Sequence, residues 1–329
     1  MELVVSPINR TLNVKAGANL LDVLRQNDVP VSYSCMAGRC GTCRCKVLKG
    51  KVLEAGGHES QTPMVTGDRF VLACQTVLAE DCTIEIPEPD EVVVHPARIA
   101  KATVVAIEDL THDVKRLLLQ LPKPLSYSPG QYVQLQVGTG LVRPYSMAGV
   151  GADGTLEFHI RIVPDGRCTQ HIAKNLQPGA ALRVTGPLGT AYLRRNHAGP
   201  MICIAGSTGL APILSIVRGA LAHGMTNPIH VYFGVRAPRD LYGEEWLREL
   251  AAAHSNLKLH VVITTGNEHP GRRSGLVTEA VAADWADANG ARAYVCGPPA
   301  MVEATTLLLQ QRGVPRDHIY ADAFYPTGT

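Results

Sequence analysis

Residues 34–45 read SCMAGRCGTCRC, and four of the nine cysteines of this 329-residue chain fall within them. The first three are Cys35, Cys40 and Cys43, and a glycine lies in each of the two gaps between them. Glycine permits the backbone angles with which a loop turns sharply and directs several N–H groups inward. Such N–H groups stabilise the negative charge of thiolates. The stretch therefore predicts a loop wrapped around a metal centre.

The spacing of these cysteines indicates which centre it is. Four residues separate Cys35 from Cys40 and two separate Cys40 from Cys43. With a fourth cysteine further along the chain, this spacing is typical of the plant-type 2Fe–2S cluster. We predict that the fourth ligand is Cys74, which lies in the sequence LACQ over residues 72–75.

Two other cysteines and two other chemistries compete with this interpretation. Cys45 and Cys82 are the alternatives to Cys74, and we interpret Cys45 as a buried thiol because it follows Cys43 on a predicted strand. A structural zinc site usually needs two separated Cys-x2-Cys pairs, and there is no second pair. Disulfides need an oxidising compartment, and the N-terminus does not resemble a signal peptide. We expect a cytoplasmic protein.

Length and composition exclude several classes of function. The length suits two or three domains, and no apolar run reaches about 18 residues, so we expect no membrane span. A net charge of +2 is too small to suggest nucleic acid. Residues 98–196 hold 12 basic and 6 acidic side chains. This excess suits an anionic cofactor or an acidic protein partner, and a solvated basic face explains it equally well.

The N-terminal third reads as a small α+β domain. We place it at residues 1–90, followed by an acidic, proline-containing linker at 91–97. A helix is predicted after Asn19, because Leu20, Leu21 and Leu24 share one face. Predicted strands begin at residues 4, 11, 70 and 82, and residues 46–53 suggest a hairpin that turns at Gly50.

The middle third, residues 98–196, alternates apolar and polar residues in short segments. Strands are predicted at 99–107, 114–120, 132–137 and 156–163. This density of short strands predicts an antiparallel β-barrel.

Two motifs in this barrel segment suggest a flavin dinucleotide site. The first reads Arg143, Pro144, Tyr145 and Ser146: the arginine can pair with a phosphate, the tyrosine can pack on a flat ring and the serine can hydrogen-bond a ring nitrogen. The second is a glycine turn followed by Arg167, Cys168 and Thr169 at the start of a predicted helix, where anions bind. His159 is either a surface histidine or a flavin contact.

The last third, residues 197–329, predicts a doubly wound α/β domain with a parallel sheet. Strands at 201–205, 229–233, 257–264, 293–296 and 318–321 alternate with helical patterns. The first strand runs into Gly206, Ser207, Thr208 and Gly209 and then a helix, the arrangement that binds a pyrophosphate. The turn at Cys296 and Gly297 follows a later strand, where ligands bind in such sheets. Cys296 is either a neighbour of the nicotinamide or a buried thiol.

Together these motifs resemble one family along the whole chain, in the order ferredoxin domain, flavin barrel, nicotinamide domain. The family comprises the ferredoxin reductase components of bacterial aromatic-ring-hydroxylating dioxygenases, with the naphthalene, nitroarene and salicylate systems as the nearest branch. Two positions depart from its pattern: Ser207 stands where glycine is usual, and Thr169 replaces the commoner serine.

The resemblance implies a role for each site residue. Cys35, Cys40, Cys43 and Cys74 would hold the 2Fe–2S cluster. FAD would be bound by Arg143, Pro144, Tyr145, Ser146, His159, Ile160, Arg161, Arg167, Cys168 and Thr169, with Phe324 near its ring. Gly206, Thr208, Gly209, Cys296 and Gly297 would face the nicotinamide nucleotide.

The resemblance also implies a function. Hydride would pass from NAD(P)H to FAD, and single electrons would pass through the cluster to a Rieske-type ferredoxin that feeds an aromatic-ring dioxygenase. Ser146 would hydrogen-bond near flavin N5, and Cys296 would position the nicotinamide. One alternative is direct reduction of the terminal oxygenase, and another, from a different class, is a metal-binding redox sensor. No nucleic-acid or membrane partner is expected.

The choice of coenzyme depends on the segment after the second parallel strand, where the ribose 2′ position is read. Asp240 would bind a 2′-hydroxyl and favour NADH, whereas Arg236 and Arg239 would accept a 2′-phosphate. Because both kinds of residue are present, we expect NADH to be preferred and NADPH to be tolerated.

Overall fold

A computed structural model describes residues 1–33, 43–54, 69–86, 95–151 and 153–325. Cys35 and Cys40 therefore lie outside the described residues. The chain divides into two units: Met1–Arg98 with Gly186–Thr190, and Ile99–Thr185 with Ala191–Thr329.

The N-terminal unit is an α+β structure. Its elements are β1 (Glu2–Ser6), β2 (Arg10–Asn13), α1 (Leu20–Gln26), β3 (Arg44–Lys49), β4 (Val52–Glu54), β5 (Arg69–Leu72), β6 (Thr76–Leu78) and β7 (Cys82–Glu85). Five strands form a sheet in the order β2-β1-β7-β3-β5, and β4 pairs with β6 alone. Helix α1 buries Leu20, Leu21 and Leu24 as its sequence predicts.

The hairpin expected at Gly50 is wrong. Strand β3 pairs with β5 and β7, while β4 pairs with β6, so the two strands flanking Gly50 belong to different sheets. Gly50 has a φ of +94°, and a Cβ there would lie 2.3 Å from the Asp81 carbonyl oxygen. The glycine is needed because the chain passes close to a neighbouring backbone, and local sequence does not reveal that approach.

The barrel elements are β8 (Arg98–Asp109), β9 (Val114–Gln120), β10 (Tyr132–Gly138), β11 (Leu141–Ser146), β12 (Thr155–Arg161), α2 (Arg167–Lys174) and β13 (Ala181–Leu188). The strands follow the order β11-β10-β13-β8-β9-β12. A bridge between Met147 and Phe158 links the two edges of this sheet, which curls it into the predicted barrel. Strands β11 and β13 were missed in the sequence, and β11 carries the Arg143–Ser146 motif.

The C-terminal elements form the predicted doubly wound domain. They are β14 (Met201–Gly206), α3 (Leu210–Ala222), β15 (Ile229–Val235), α4 (Glu244–Ala253), β16 (Leu257–Ile263), β17 (Arg273–Ser274), α5 (Val277–Asp284), β18 (Arg292–Gly297), α6 (Pro299–Gln311) and β19 (Ile319–Ala323). The sheet is parallel, in the order β17-β16-β15-β14-β18-β19. Successive strands run outward from β14 in one direction and then resume at β18 on its other side. The edge between β14 and β18 is therefore the switch point at which such sheets bind ligands.

Candidate functional site

Two of the predicted cluster ligands lie side by side. The Cys74 backbone N–H donates to the Cys43 sulfur at 3.4 Å, and the Gln75 side-chain amide donates to the Cys74 sulfur at 3.7 Å. The Asn19 side chain, which also caps α1, donates to the Cys74 carbonyl at 3.1 Å. Both sulfurs thus receive N–H groups, as thiolates bound to a cluster require, so these residues fit a 2Fe–2S cluster.

The two rival cysteines behave as ordinary thiols. Cys45 is 1% exposed, and burial, followed by the nearby Cys43, raises its pKa to about 12. The Cys82 sulfur donates to the carbonyls of Glu80 and Lys51 at 3.1 and 3.3 Å, and burial is the main reason that its pKa is raised. A protonated sulfur that donates a hydrogen bond is a poor cluster ligand, because the ligand is the thiolate.

The structure brings the two predicted flavin motifs together. Helix α2 packs against β10 and β11. The Tyr145 hydroxyl pairs with the Cys168 sulfur of this helix, and burial, followed by that sulfur, raises the tyrosine pKa while Arg143 opposes the rise. Apart from that sulfur, the buried Tyr145 hydroxyl has no hydrogen-bond partner among the residues that the structure describes. A buried hydroxyl whose one partner among the described residues is a weakly accepting sulfur, beside a helix N-terminus, fits the ribityl and phosphate groups of FAD.

The remaining predicted flavin residues differ in their exposure and in their hydrogen bonds. Arg167 is exposed at the first turn of α2, while Thr169 donates its hydroxyl to the Gly166 carbonyl at 3.1 Å and so supports the turn itself. The Ile160 side chain belongs to the barrel core, which leaves its backbone for any ligand. Arg161 donates to Asp113 at 2.8 Å. Pro144 is exposed on β11.

Ser146 has a partner that sequence reasoning missed. Its hydroxyl donates to Asp322 Oδ2 at 3.0 Å, which joins the end of β11 to the last strand, β19. Burial raises the pKa of Asp322, and the Ser146 hydrogen bond opposes that rise. In the sheet register Asp322 lies opposite Cys296, so both predicted catalytic residues adjoin one carboxyl group. A carboxylate two residues before Phe324 was the available sequence signal.

Three glycines allow two turns at the switch point to meet. A Cβ on Gly209 would lie 2.0 Å from the Cys296 carbonyl oxygen, and one on Gly297 would lie 2.8 Å from the Gly206 carbonyl oxygen. Neither position admits a side chain, so the two backbones approach each other directly at this edge. Ser207 has a φ of +52°, which explains why glycine is common there. Thr208 lies in the same turn, and the resulting backbone cradle fits a nicotinamide nucleotide.

Cys296 and Phe324 border this cradle. The Cys296 side chain is fully buried, and burial raises its pKa well above the usual value, so it is a neutral thiol. The Phe324 backbone N–H donates to the Gly297 carbonyl at 2.9 Å, which holds the C-terminal segment against the turn after β18.

The His159 side chain is neither on the surface nor free. Its ring is fully buried: Nδ1 lies 3.1 Å from the Tyr242 hydroxyl of the nucleotide domain, and Nε2 lies 3.2 Å from Glu157 Oε1. Glu157 also accepts from Arg116 at 2.8 Å and from Arg218 of α3 at 3.4 Å. The surface-histidine interpretation is therefore wrong, and the ring serves the junction between barrel and nucleotide domain.

This junction makes stability depend on pH. Burial would raise the Glu157 pKa, but His159 and Arg116 outweigh it and lower the pKa to about 2. A carboxyl whose folded pKa is depressed contributes stability above its unfolded pKa and loses it as pH falls. From the ordinary 4.5 to about 2, the contribution is about 3 kcal/mol at pH 7, and about 2 kcal/mol of it is lost by pH 3.

We therefore expect Glu157→Gln to destabilise the second unit by about 3 kcal/mol at pH 7 and by much less at pH 3. Denaturant unfolding followed by tryptophan fluorescence reports this directly, because Trp246 lies against His159. Asp109→Asn is the control, since Asp109 is 72% exposed in its pair with Lys115. A loss that does not change with pH would contradict the assigned pKa.

Asp240 lies where the sequence places it, in the segment after β15. Its Oδ2 accepts from the Ala237 backbone N–H at 3.0 Å, so one oxygen is held by the turn. Arg236 and Arg239 are exposed on the same segment. The Asp240 carboxylate and the Arg236 and Arg239 guanidinium groups thus lie on one segment, as the coenzyme prediction requires.

Comparison with known sequences now identifies the three parts. Residues 3–79 match the 2Fe-2S iron-sulfur cluster binding domain, residues 101–192 the oxidoreductase FAD-binding domain and residues 203–306 the oxidoreductase NAD-binding domain. A Ralstonia protein is 58% identical over the full length of both chains: the reductase component of naphthalene 1,2-dioxygenase/salicylate 5-hydroxylase systems. The ferredoxin–NAD(P)⁺ reductase component of the naphthalene 1,2-dioxygenase system of Pseudomonas putida is 54% identical, also over both full lengths.

The chain belongs to the ferredoxin–NAD(P)⁺ reductase components of naphthalene 1,2-dioxygenase systems. The predicted family, fold class and cofactor set are thereby confirmed, and the reductase is an electron-transfer enzyme rather than a redox sensor.

Solved structures agree with this fold. The reductase aligns with the Amycolatopsis cytochrome P450 reductase GcoB at a TM-score of 0.72 and 34% identity, covering 99% of each chain. It aligns with the ferredoxin reductase of carbazole 1,9a-dioxygenase at 0.67 and 30% identity, covering 98% of each. Within the described ranges of the reductase, no helix is long and apolar enough to cross a membrane.

Proposed function

We propose that the reductase delivers single electrons from NADH to a Rieske-type ferredoxin, which feeds an aromatic-ring dioxygenase in the cytoplasm. The printed names of the Ralstonia and Pseudomonas relatives support a ferredoxin acceptor and a dioxygenase system. When bound, FAD takes two electrons from reduced nicotinamide and releases them singly to the 2Fe–2S cluster. We assign the cluster to residues 1–90, the FAD to 98–196 and the nucleotide to 197–329, with a linker at 91–97.

The cluster ligands in this proposal are Cys35, Cys40, Cys43 and Cys74. One observation carries the assignment: among the described cysteines of the N-terminal unit, Cys43 and Cys74 accept N–H groups at sulfur, whereas Cys45 and Cys82 donate. A thiolate has no proton to donate, so only the first pair is arranged as ligands.

The chain's own residues would orient the two other cofactors. Arg143 and the first turn of α2 would bind FAD phosphate, and the Tyr145 hydroxyl would exchange its weak contact with the Cys168 sulfur for a hydrogen bond to the flavin. Ser146, fixed by Asp322, would hold its hydroxyl at the edge where the nicotinamide arrives. The backbone cradle around Gly209 and Gly297 would bind the nucleotide, and the buried Cys296 would lie beneath the backbone of the cradle.

Reconstitution with purified proteins tests the acceptor. We expect product only when the reductase and NADH are mixed with both a Rieske-type ferredoxin and its oxygenase. The relative named a cytochrome P450 reductase makes direct reduction of an oxygenase the competing result. Turnover of the oxygenase with no ferredoxin present would contradict the proposal.

Docking of an acidic ferredoxin should depend on salt. The excess of basic residues at 98–196 includes Lys101 and Arg183, which are exposed on strands β8 and β13. We expect ferredoxin reduction to slow about tenfold between 0.05 and 0.5 M salt, because screening removes the attraction between the two surfaces. A Lys101→Glu, Arg183→Glu double variant should be slow even at low salt. The matched control is Lys258→Glu, at an exposed position on β16, and a rate independent of salt would refute the docking model.

A further inference from the structure

A histidine from the flavin barrel reaches the residue proposed to read the coenzyme ribose. His112 lies in the turn between β8 and β9, and its Nε2 is 3.8 Å from Asp240 Oδ1. The other Asp240 oxygen is held by the Ala237 backbone N–H at 3.0 Å. The oxygen that is left to meet a ribose is therefore the one that faces the imidazole.

The charged groups around His112 come from both domains. Its Nε2 is 3.9 Å from Asp113 Oδ1, and Asp113 Oδ2 accepts from Arg161 at 2.8 Å. On the nucleotide domain, Arg239 Nε is 3.9 Å from Asp240 Oδ1. The imidazole thus stands between two carboxylates, each of which has its own cation, and it remains 46% exposed to solvent and to a ligand.

A second contact fixes the same segment to the barrel. Tyr242 lies two residues beyond Asp240, and its hydroxyl is 3.1 Å from the buried Nδ1 of His159 on β12. Tyr242 therefore holds the end of this segment against the barrel. Because the Ala237 N–H also holds the other Asp240 oxygen, Asp240 is kept beside the barrel turn that carries His112.

We propose that His112 reads the coenzyme 2′ position together with Asp240, so that the flavin barrel contributes to the choice between NADH and NADPH. This inference rests on the proposed ribose-binding role of Asp240. With a neutral imidazole, Asp240 keeps its negative charge, accepts a 2′-hydroxyl and repels a 2′-phosphate. A protonated imidazole offsets the charge of the carboxylate through Nε2 and leaves its second N–H to donate to a 2′-phosphate.

Binding of two nucleotide fragments to the holoenzyme tests this without requiring turnover. The affinities of 5′-ADP and 2′,5′-ADP, measured by calorimetry at pH 6 and pH 8, separate recognition of the 2′-phosphate from recognition of the remaining nucleotide. We expect His112→Gln to weaken 2′,5′-ADP binding about tenfold at pH 6 and to leave 5′-ADP unchanged, because a charge-assisted hydrogen bond is lost. The 2′-phosphate itself titrates near pH 6, so the wild-type pH effect is judged against that of His112→Gln.

Two further variants make the outcomes distinct. His254→Gln, at the end of α4 and before the amino end of β16, is the matched control and should bind both fragments as the wild type does. Asp240→Asn tests the proposed function and should strengthen 2′,5′-ADP binding relative to 5′-ADP. If Asp240→Asn has that effect while His112→Gln has none, the inference is overturned and the ribose assignment stands. If neither variant changes the ratio of the two affinities, the inference and the ribose assignment both fail. Equal weakening of both fragments by His112→Gln would show that His112 has only a structural role.

Discussion

Serine in place of Cys74 is expected to abolish electron delivery to ferredoxin while NADH still bleaches the flavin absorbance at its normal rate. Serine is a weak cluster ligand because its hydroxyl remains protonated, whereas the cluster needs thiolate. The residues proposed for the flavin and nucleotide sites belong to the other unit and do not include Cys74. The expected loss is at least about a thousandfold, because the proposed route to ferredoxin passes through the cluster.

The two rival cysteines supply the matched controls. Cys45→Ser and Cys82→Ser remove thiols that act as hydrogen-bond donors in the same unit, so the iron content and the visible spectrum should remain. Iron and acid-labile sulfide are measured in all three variants, together with ferredoxin reduction in stopped flow. Retention of the cluster in Cys74→Ser and its loss in Cys82→Ser would reassign the fourth ligand.

Ser146→Ala is expected to slow the bleaching of the flavin absorbance by NADH by roughly two to three orders of magnitude. The Ser146 proton is donated to Asp322, so its oxygen would act at the flavin as an acceptor, and removing one preorganised hydrogen-bonding group from a reaction site has effects of this size. The hydroxyl is preorganised because Asp322 fixes it at 3.0 Å, and Asp322 is itself held opposite Cys296 by the sheet. The effect should fall on the rate at saturating NADH and leave the affinity for NADH nearly unchanged.

A conservative variant distinguishes this role from a structural one. Ser146→Thr keeps the hydroxyl and should restore most of the rate of flavin bleaching. Asp322→Asn keeps an acceptor for the Ser146 hydroxyl, so its rate should fall about tenfold or less. FAD content is measured in each variant, so that loss of flavin is not mistaken for a slow reaction. Equal rates for Ser146→Ala and the wild type would remove Ser146 from the catalytic residues.

Local sequence patterns predicted most of the architecture. Alternation in β12 and the apolar runs of β14 and β15 are strong because each strand buries one or both faces within its own domain. Strand β11 was missed because its burial alternates weakly and it contains a proline. The pairing of β3 and β4 was misjudged because a glycine between two short strands also fits a crossing between sheets.

The spacing of motif residues determined the chemistry of this protein, and tertiary structure determined the hydrogen-bond partners of those residues. The intervals between cysteines and the glycine turns after strands are local, because a cluster loop and a phosphate cradle are each built from one short segment. Asp322 meets Ser146 across 176 residues, and His159 meets Tyr242 across 83. Such contacts depend on how the barrel packs against the parallel sheet, and no short segment contains that information. The sequence alone therefore determined which cofactors the reductase uses, and only the fold decided which side chains hold Ser146 and the segment around Asp240 in place.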